Sequence, residues 1–224
     1  MTISSRVAGA CLTFAALCHL SWLTEFVSGS RLPVRTSYVS ELFALGQPWS
    51  QWLRFGDVLA GTAVLVAAIL LLSARLRDRR ARLLEPGAVG LLGLGLFGAG
   101  TITDALLPMA CTPSVSAACA AAEKAGTVPL HHQLHTVSSS VATTGAVAGF
   151  LLLGWVLARS RPPSRALMVA AIGYALLTGW VLLEVAEFGA SMLGWSQRLQ
   201  IVGSSVCLAL LSIACWTGRI GVRP

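Results

Sequence analysis

The sequence predicts an all-α, polytopic membrane protein: a six-helix transmembrane bundle, N-in and C-in, with a short interfacial helix in its first outer loop. Three observations carry this expectation. The chain of 224 residues is 55% hydrophobic and only 11% charged, with a mean hydropathy of +0.76, whereas a soluble domain carries about 25% charged residues. Six apolar runs are long enough to cross a hydrocarbon core of roughly 30 Å, which takes about 20 helical residues. The basic residues gather on alternate connections between those runs.

The spans are expected at about 7–27, 55–74, 86–107, 132–157, 165–187 and 198–217, within one integral membrane domain covering 1–224. The first run follows Arg6 and could pass for a secretory leader. It is too long for one, and no small-x-small cleavage site follows. Cys18 is preceded by Leu17, where a lipoprotein site would want a small residue, so the run reads as a retained span.

Orientation follows from the cations. Arg6, Arg75, Arg77, Arg79, Arg80, Arg82, Arg159, Arg161, Arg165, Arg219 and Arg223 fall on one side, against Arg31, Arg35, Arg54, Lys124 and Arg198 on the other. The positive-inside rule puts the first group, and both termini, in the cytoplasm. The net charge of +7 therefore reports membrane orientation, and with no soluble domain to carry a groove it excludes nucleic acid as a partner.

Most titratable groups then fall outside: Glu25, Glu41, Asp57, Asp104, Glu123, Glu184 and Glu187, and all four histidines. Trp22, Tyr38, Trp49, Trp52 and Trp195 sit near the outer interface, and Trp155 and Trp216 near the inner one, as aromatic belts do. Span three holds Gly87, Gly90, Gly93, Gly95, Gly98 and Gly100, and span four is rich in Ser, Thr and Gly. Small residues let helix backbones approach closely in lipid, which marks these two spans for the bundle centre. In the first outer loop, Tyr38 to Leu45, closed by Gly46 and Pro48, reads as the short interfacial helix.

The candidate chemistry lies on the outer side. Cys111 and Cys119 share one outer loop, where a disulfide persists. His131, His132 and His135 open span four; His131 and His135, four apart, share a helical face and form a two-ligand clamp for zinc or another divalent metal. Asp104, about one turn from the outer end of span three, is an intramembrane acid at the same level, and such a residue marks a functional site by default. Asp104, His131 and His135 are thus the candidate metal ligands. Glu41 and Glu184 are candidate general bases. The competing reading makes the same groups a structural ion-pair network, with Arg198 neutralising an outer acid.

The stretch from Arg35 through Tyr38, Ser40 and Glu41, the Gly56–Asp57 pair, Asp104 to Pro108, the cysteine loop and His131 to His135 resemble a family of actinobacterial and archaeal membrane proteins. It is catalogued as the domain of unknown function nine hundred and ninety-eight. The resemblance covers nearly the whole chain and implies six spans and a multi-pass protein of the plasma membrane. It carries no established activity.

Ser40, Asp104, His131 and His135 are also similar in type to the Ser/Asp/His set of alkaline ceramidases, which are zinc-dependent lipid amidases with seven spans rather than six. That analogy concerns the kind of site alone and adds Ser40 to the candidate catalytic residues.

Two functions are therefore expected in competition. One is a metal-dependent hydrolase acting on lipid or envelope substrates from the outer leaflet. The other is a non-enzymatic protein that binds membrane lipids, a second copy of itself or a partner membrane protein. A transporter fits less well, because no span is broken at mid-membrane and no inverted repeat is visible.

Overall fold

The computed structural model describes residues 2–77, 82–160, 165–186 and 191–218. Asp78, Arg79, Arg80, Arg161, Glu187, Arg219 and Arg223 lie outside the described residues. Among those described there is no strand, and six helices are long and apolar enough to cross a membrane.

Helix α1 (Ile3–Cys18) is capped by Thr2, whose hydroxyl accepts the Ser5 amide at 3.3 Å. A 3-10 helix, Ser21–Phe26, completes that span. The short helix expected around 38–45 is a five-residue 3-10 helix, Val39–Phe43, with Val39, Glu41, Leu42 and Phe43 buried. Helix α2 (Ser50–Leu76) starts earlier than its apolar run, because the turn carrying Gln51, Trp52 and Arg54 is helical too. Helix α3 (Pro86–Leu106) begins with proline, whose missing N–H costs nothing in a first turn. Helix α4 (Ala117–Lys124) lies inside the cysteine loop, where a loop was expected. Helices α5 (Leu130–Ser160), α6 (Arg165–Val185) and α7 (Leu193–Trp216) complete the chain.

The long helices pack as a closed ring: α1 on α2, α2 on α3, α3 on α5, α5 on α6, α6 on α7, and α7 back on α1. The α3–α5 contact, expected at the bundle's centre, is the most extensive but is one side of this ring. Glycine makes it close: a Cβ on Gly145 would lie 2.7 Å from the Gly93 carbonyl oxygen. The α2–α3 contact is equally tight, with a Cβ on Gly98 falling 2.7 Å from Gly61 O and from Leu65 N. Aromatic rings occupy the interior instead of a central helix. Phe97 meets Phe150 edge-on at 5.9 Å, and Phe150 meets Tyr174 at 5.4 Å.

Hydroxyls close the seam between the first and last helices. Ser5 donates to Cys215 O at 2.9 Å, Ser212 to Gly9 O at 2.7 Å, and Thr13 and Ser212 lie 2.8 Å apart. In lipid, such bonds hold helices that have no hydrophobic reason to associate.

Gly98→Ala should lower stability by about 1–3 kcal/mol in detergent unfolding, since its methyl group meets backbone. Gly95→Ala, whose Cβ would come no nearer than 3.9 Å to Ala68, should be neutral or slightly stabilising. Equal effects at the two positions would show that close approach is not what holds α2 to α3.

Candidate functional site

One end of the ring is built from the α1–α2 connection, the α3–α5 connection and the start of α7. Arg198 organises it. The residue is 1% exposed, and its guanidinium grips Glu25 (7% exposed) through two nitrogens, with Nε to Oε1 at 2.8 Å. The remaining nitrogen, Nη1, donates to the carbonyls of Val34, Ser37 and Gly194 at 3.0–3.1 Å. Every part of the buried charge is thus met, as a low-dielectric site demands. The sequence-level expectation that Arg198 neutralises an acid is realised with Glu25.

The cysteine loop is tied down at several points. Cys111 and Cys119 form a disulfide. Glu41, fully buried, accepts from the Ser114 hydroxyl at 2.7 Å, the Ser114 amide at 3.1 Å and the Tyr38 amide at 2.9 Å. Burial pushes the Glu41 carboxyl above the ordinary carboxylate range, and these donors pull it part of the way back. His132 accepts the Ala110 amide at Nδ1 (3.3 Å), and its Nε2 lies 3.6 Å from Glu123 Oε1. Leu45 N bonds Met109 O at 3.0 Å, joining this loop to the one before it.

Beneath these segments lies a cavity of about 130 Å³, lined by all six long spans and by the second 3-10 helix. Two carboxyl–imidazole pairs face it. His135 Nδ1 is 2.9 Å from Leu107 O and 3.1 Å from Asp104 Oδ1. Asp104 Oδ1 also accepts from Ser138 at 2.7 Å and Ser139 at 2.8 Å. Across the cavity, His19 Nδ1 and Asp57 Oδ1 are 3.9 Å apart, too far for a hydrogen bond. Trp22, Phe43, Phe97 and Tyr174 supply aromatic walls, and Ser40, Thr101, Thr143, Gln197, Gln200 and Ser204 supply polar ones. Gln200 is fixed by donating to Thr178 at 2.8 Å, and Gln197 by accepting the Val39 amide.

Of the residues singled out from the sequence, Asp104, His135 and Ser40 line this cavity. The Ser40 hydroxyl points to Met109 Sδ at 3.4 Å. His131, Glu41 and Glu184 are not among its lining residues. His131 Nε2 is buried without a hydrogen-bond partner. Glu184 accepts from Trp180 Nε1 at 3.0 Å and the Met192 amide at 3.2 Å, bracing the α6–α7 connection. Among the described residues, no group of three or more His, Cys, Asp or Glu side chains is arranged to hold a metal ion.

Sequence reasoning missed the pairing of His19 with Asp57 and the contribution of Trp22, Gln197 and Gln200. Asp57 carried the same signal as Asp104, an acid inside an expected span, and lies at the same end of the bundle.

A family profile described as "Protein of unknown function (DUF998)" matches residues 7–214. No curated protein and no solved structure gives a significant match.

Arg198→Met should cost about 3–5 kcal/mol, because it strands the Glu25 carboxylate in a buried site. Adding Glu25→Leu to it should recover part of that loss in the same thermal unfolding assay. A double variant less stable than Arg198→Met alone would contradict the pairing argument.

Proposed function

The chain belongs to that family of unknown function, and from this premise we propose that it is a cell-membrane protein whose extracytoplasmic cavity binds the polar head of an amphiphile. The single observation that carries the reading is the cavity itself. It combines about 130 Å³ of space with Asp57, Asp104, His19 and His135 on its wall and aromatic rings beside them. Polar groups in a membrane-spanning bundle are costly and collect where a ligand or ion passes or binds. A small concave site with apolar walls and a few placed polar groups is the usual form of a binding site.

The orientation rests on the arginine distribution, which sets both termini and the arginine-rich α2–α3 connection in the cytoplasm. The cysteine loop then faces the oxidising side, in keeping with its disulfide.

A hydrolytic variant of this reading is favoured by one further observation. His135 turns Nδ1 to Asp104 and Leu107 O and keeps Nε2 unpartnered in a ring that lines the cavity. An imidazole held at Nδ1 in this way suits a general base, or a zinc ligand alongside Asp104, once Nε2 is uncovered, with Ser40 lining the same cavity. The metal form of the reading needs His131 to turn toward the cavity. Glu41 and Glu184 serve it less well than His135, because backbone and side-chain donors already occupy their carboxylates.

Detergent-purified wild type should release an amphiphile on organic extraction, and Asp104→Asn and His135→Ala should release markedly less at equal monodispersity. Extracts indistinguishable between wild type and both variants would sink the binding proposal. In parallel, elemental analysis of wild type beside His131→Ala/His135→Ala decides the metal form. Stoichiometric zinc lost in the variant supports it, and metal-free, well-folded wild type after zinc addition removes it.

A further inference from the structure

On the reading that the cavity takes a polar head, we infer that the group it takes is a primary ammonium. The charges on its wall point one way. Asp57 and Asp104 both line the cavity, and no lysine or arginine among the described residues does. The nearby guanidinium of Arg198 is spent on Glu25 and three carbonyls. An anionic head would therefore meet two carboxyl groups and no lysine or arginine among the described residues, in a region where an uncompensated charge is expensive.

The hydrogen-bonding capacity is equally one-sided. Both side-chain hydrogen bonds to Asp104, from Ser138 and Ser139, end on Oδ1, and no donor among the described residues reaches Oδ2. Asp57 has no hydrogen bond, only the imidazole at 3.9 Å. His135 is 6% exposed, and its Nε2 has no partner. Because Nδ1 sits 2.9 Å from the Leu107 carbonyl, that nitrogen carries a proton. The two carboxyl groups thus keep acceptor capacity that no donor among the described residues takes up. A primary ammonium carries three N–H donors and one positive charge. A quaternary ammonium has the charge without the donors and would leave the oxygens of Asp57 and Asp104 unmet. A metal ion would need three or more converging ligands, and no such group of His, Cys, Asp or Glu is found among the described residues.

Trp22 adds a complementary feature. It lines the same cavity at 5% exposure, and its indole N–H has no partner. Its ring gives the carbon chain next to the amine an apolar wall. The volume, about 130 Å³, approaches the roughly 150 Å³ that admits a benzene-sized molecule, enough for an amine with a few heavy atoms.

The test uses the full-length protein in phosphatidylcholine nanodiscs, with retained probe measured by native mass spectrometry. The probes are phosphatidylethanolamine, its N-acetylated derivative, phosphatidylglycerol and free ethanolamine. Phosphatidylethanolamine or ethanolamine should be held about tenfold better than the N-acetylated lipid, with a further loss of about tenfold in Asp57→Asn and in Asp104→Asn. Retention of free ethanolamine identifies a soluble amine as the source, and retention of the lipid alone identifies the membrane. Equal or better retention of the N-acetylated lipid or phosphatidylglycerol overturns the ammonium while leaving a head-binding cavity in place. Retention of no probe overturns both. The wild-type comparison of the two ethanolamine lipids decides the matter even if a variant fails to fold.

Discussion

The buried guanidinium of Arg198 is the constraint on which the polar end of this bundle depends. A cation at 1% exposure survives in such a place only if its charge and all its N–H groups are met. Meeting them requires segments far apart in sequence: Glu25 after α1, the carbonyls of Val34 and Ser37 in the next loop, and Gly194 at the start of α7. Gly194 has to be glycine here, because a Cβ would strike the Val34 carbonyl oxygen. Once these segments are fixed, Trp22 lies with its ring 5.9 Å from the guanidinium and forms one wall of the cavity. Gln197 and Gln200, on α7 beside Arg198, reach Val39 and Thr178 and set two more.

The polar end therefore divides its charged groups by role. Glu25 and Arg198 neutralise one another and serve as architecture. Glu41 and Glu184 accept backbone and side-chain donors and tie loops down. Asp57, Asp104, His19 and His135 line the cavity, and Asp104 keeps one oxygen without a donor after Ser138 and Ser139 have bonded the other. Residues of the same chemical type thus differ in what they do through one variable, how much of their bonding capacity local donors have claimed.

That variable explains what the sequence could and could not disclose. Six spans were legible because long apolar runs have no other use in so uncharged a chain. The disulfide followed from two cysteines in one loop, and the close glycine contacts from the composition of α3 and α5. Partner choice was not legible, because it depends on tertiary neighbours. Glu41 looked like a free base until Ser114 was seen to occupy it. His131 looked like half of a clamp with His135, because four residues apart is one helical face, yet only His135 lines the cavity. Asp57 and His19 drew less attention than Asp104 because they belong to different helices, and nothing local in the chain announces that they meet. The ends of α2 and α7 ran past their apolar stretches for a related reason: polar turns there are held by loops and by Arg198.

The ring topology has a consequence for how the chain is made. The wall of the cavity includes α7, and α7 also supplies the seam with α1 through Ser212, Thr13 and Ser5. During synthesis, α1 to α6 emerge before either the seam or the Arg198 anchor exists. Glu25 must therefore wait in an open arc of helices for the last span to arrive. A nascent chain stalled before α7 has this carboxyl without its guanidinium. Arrival of the final helix is the event that turns this arc into a container.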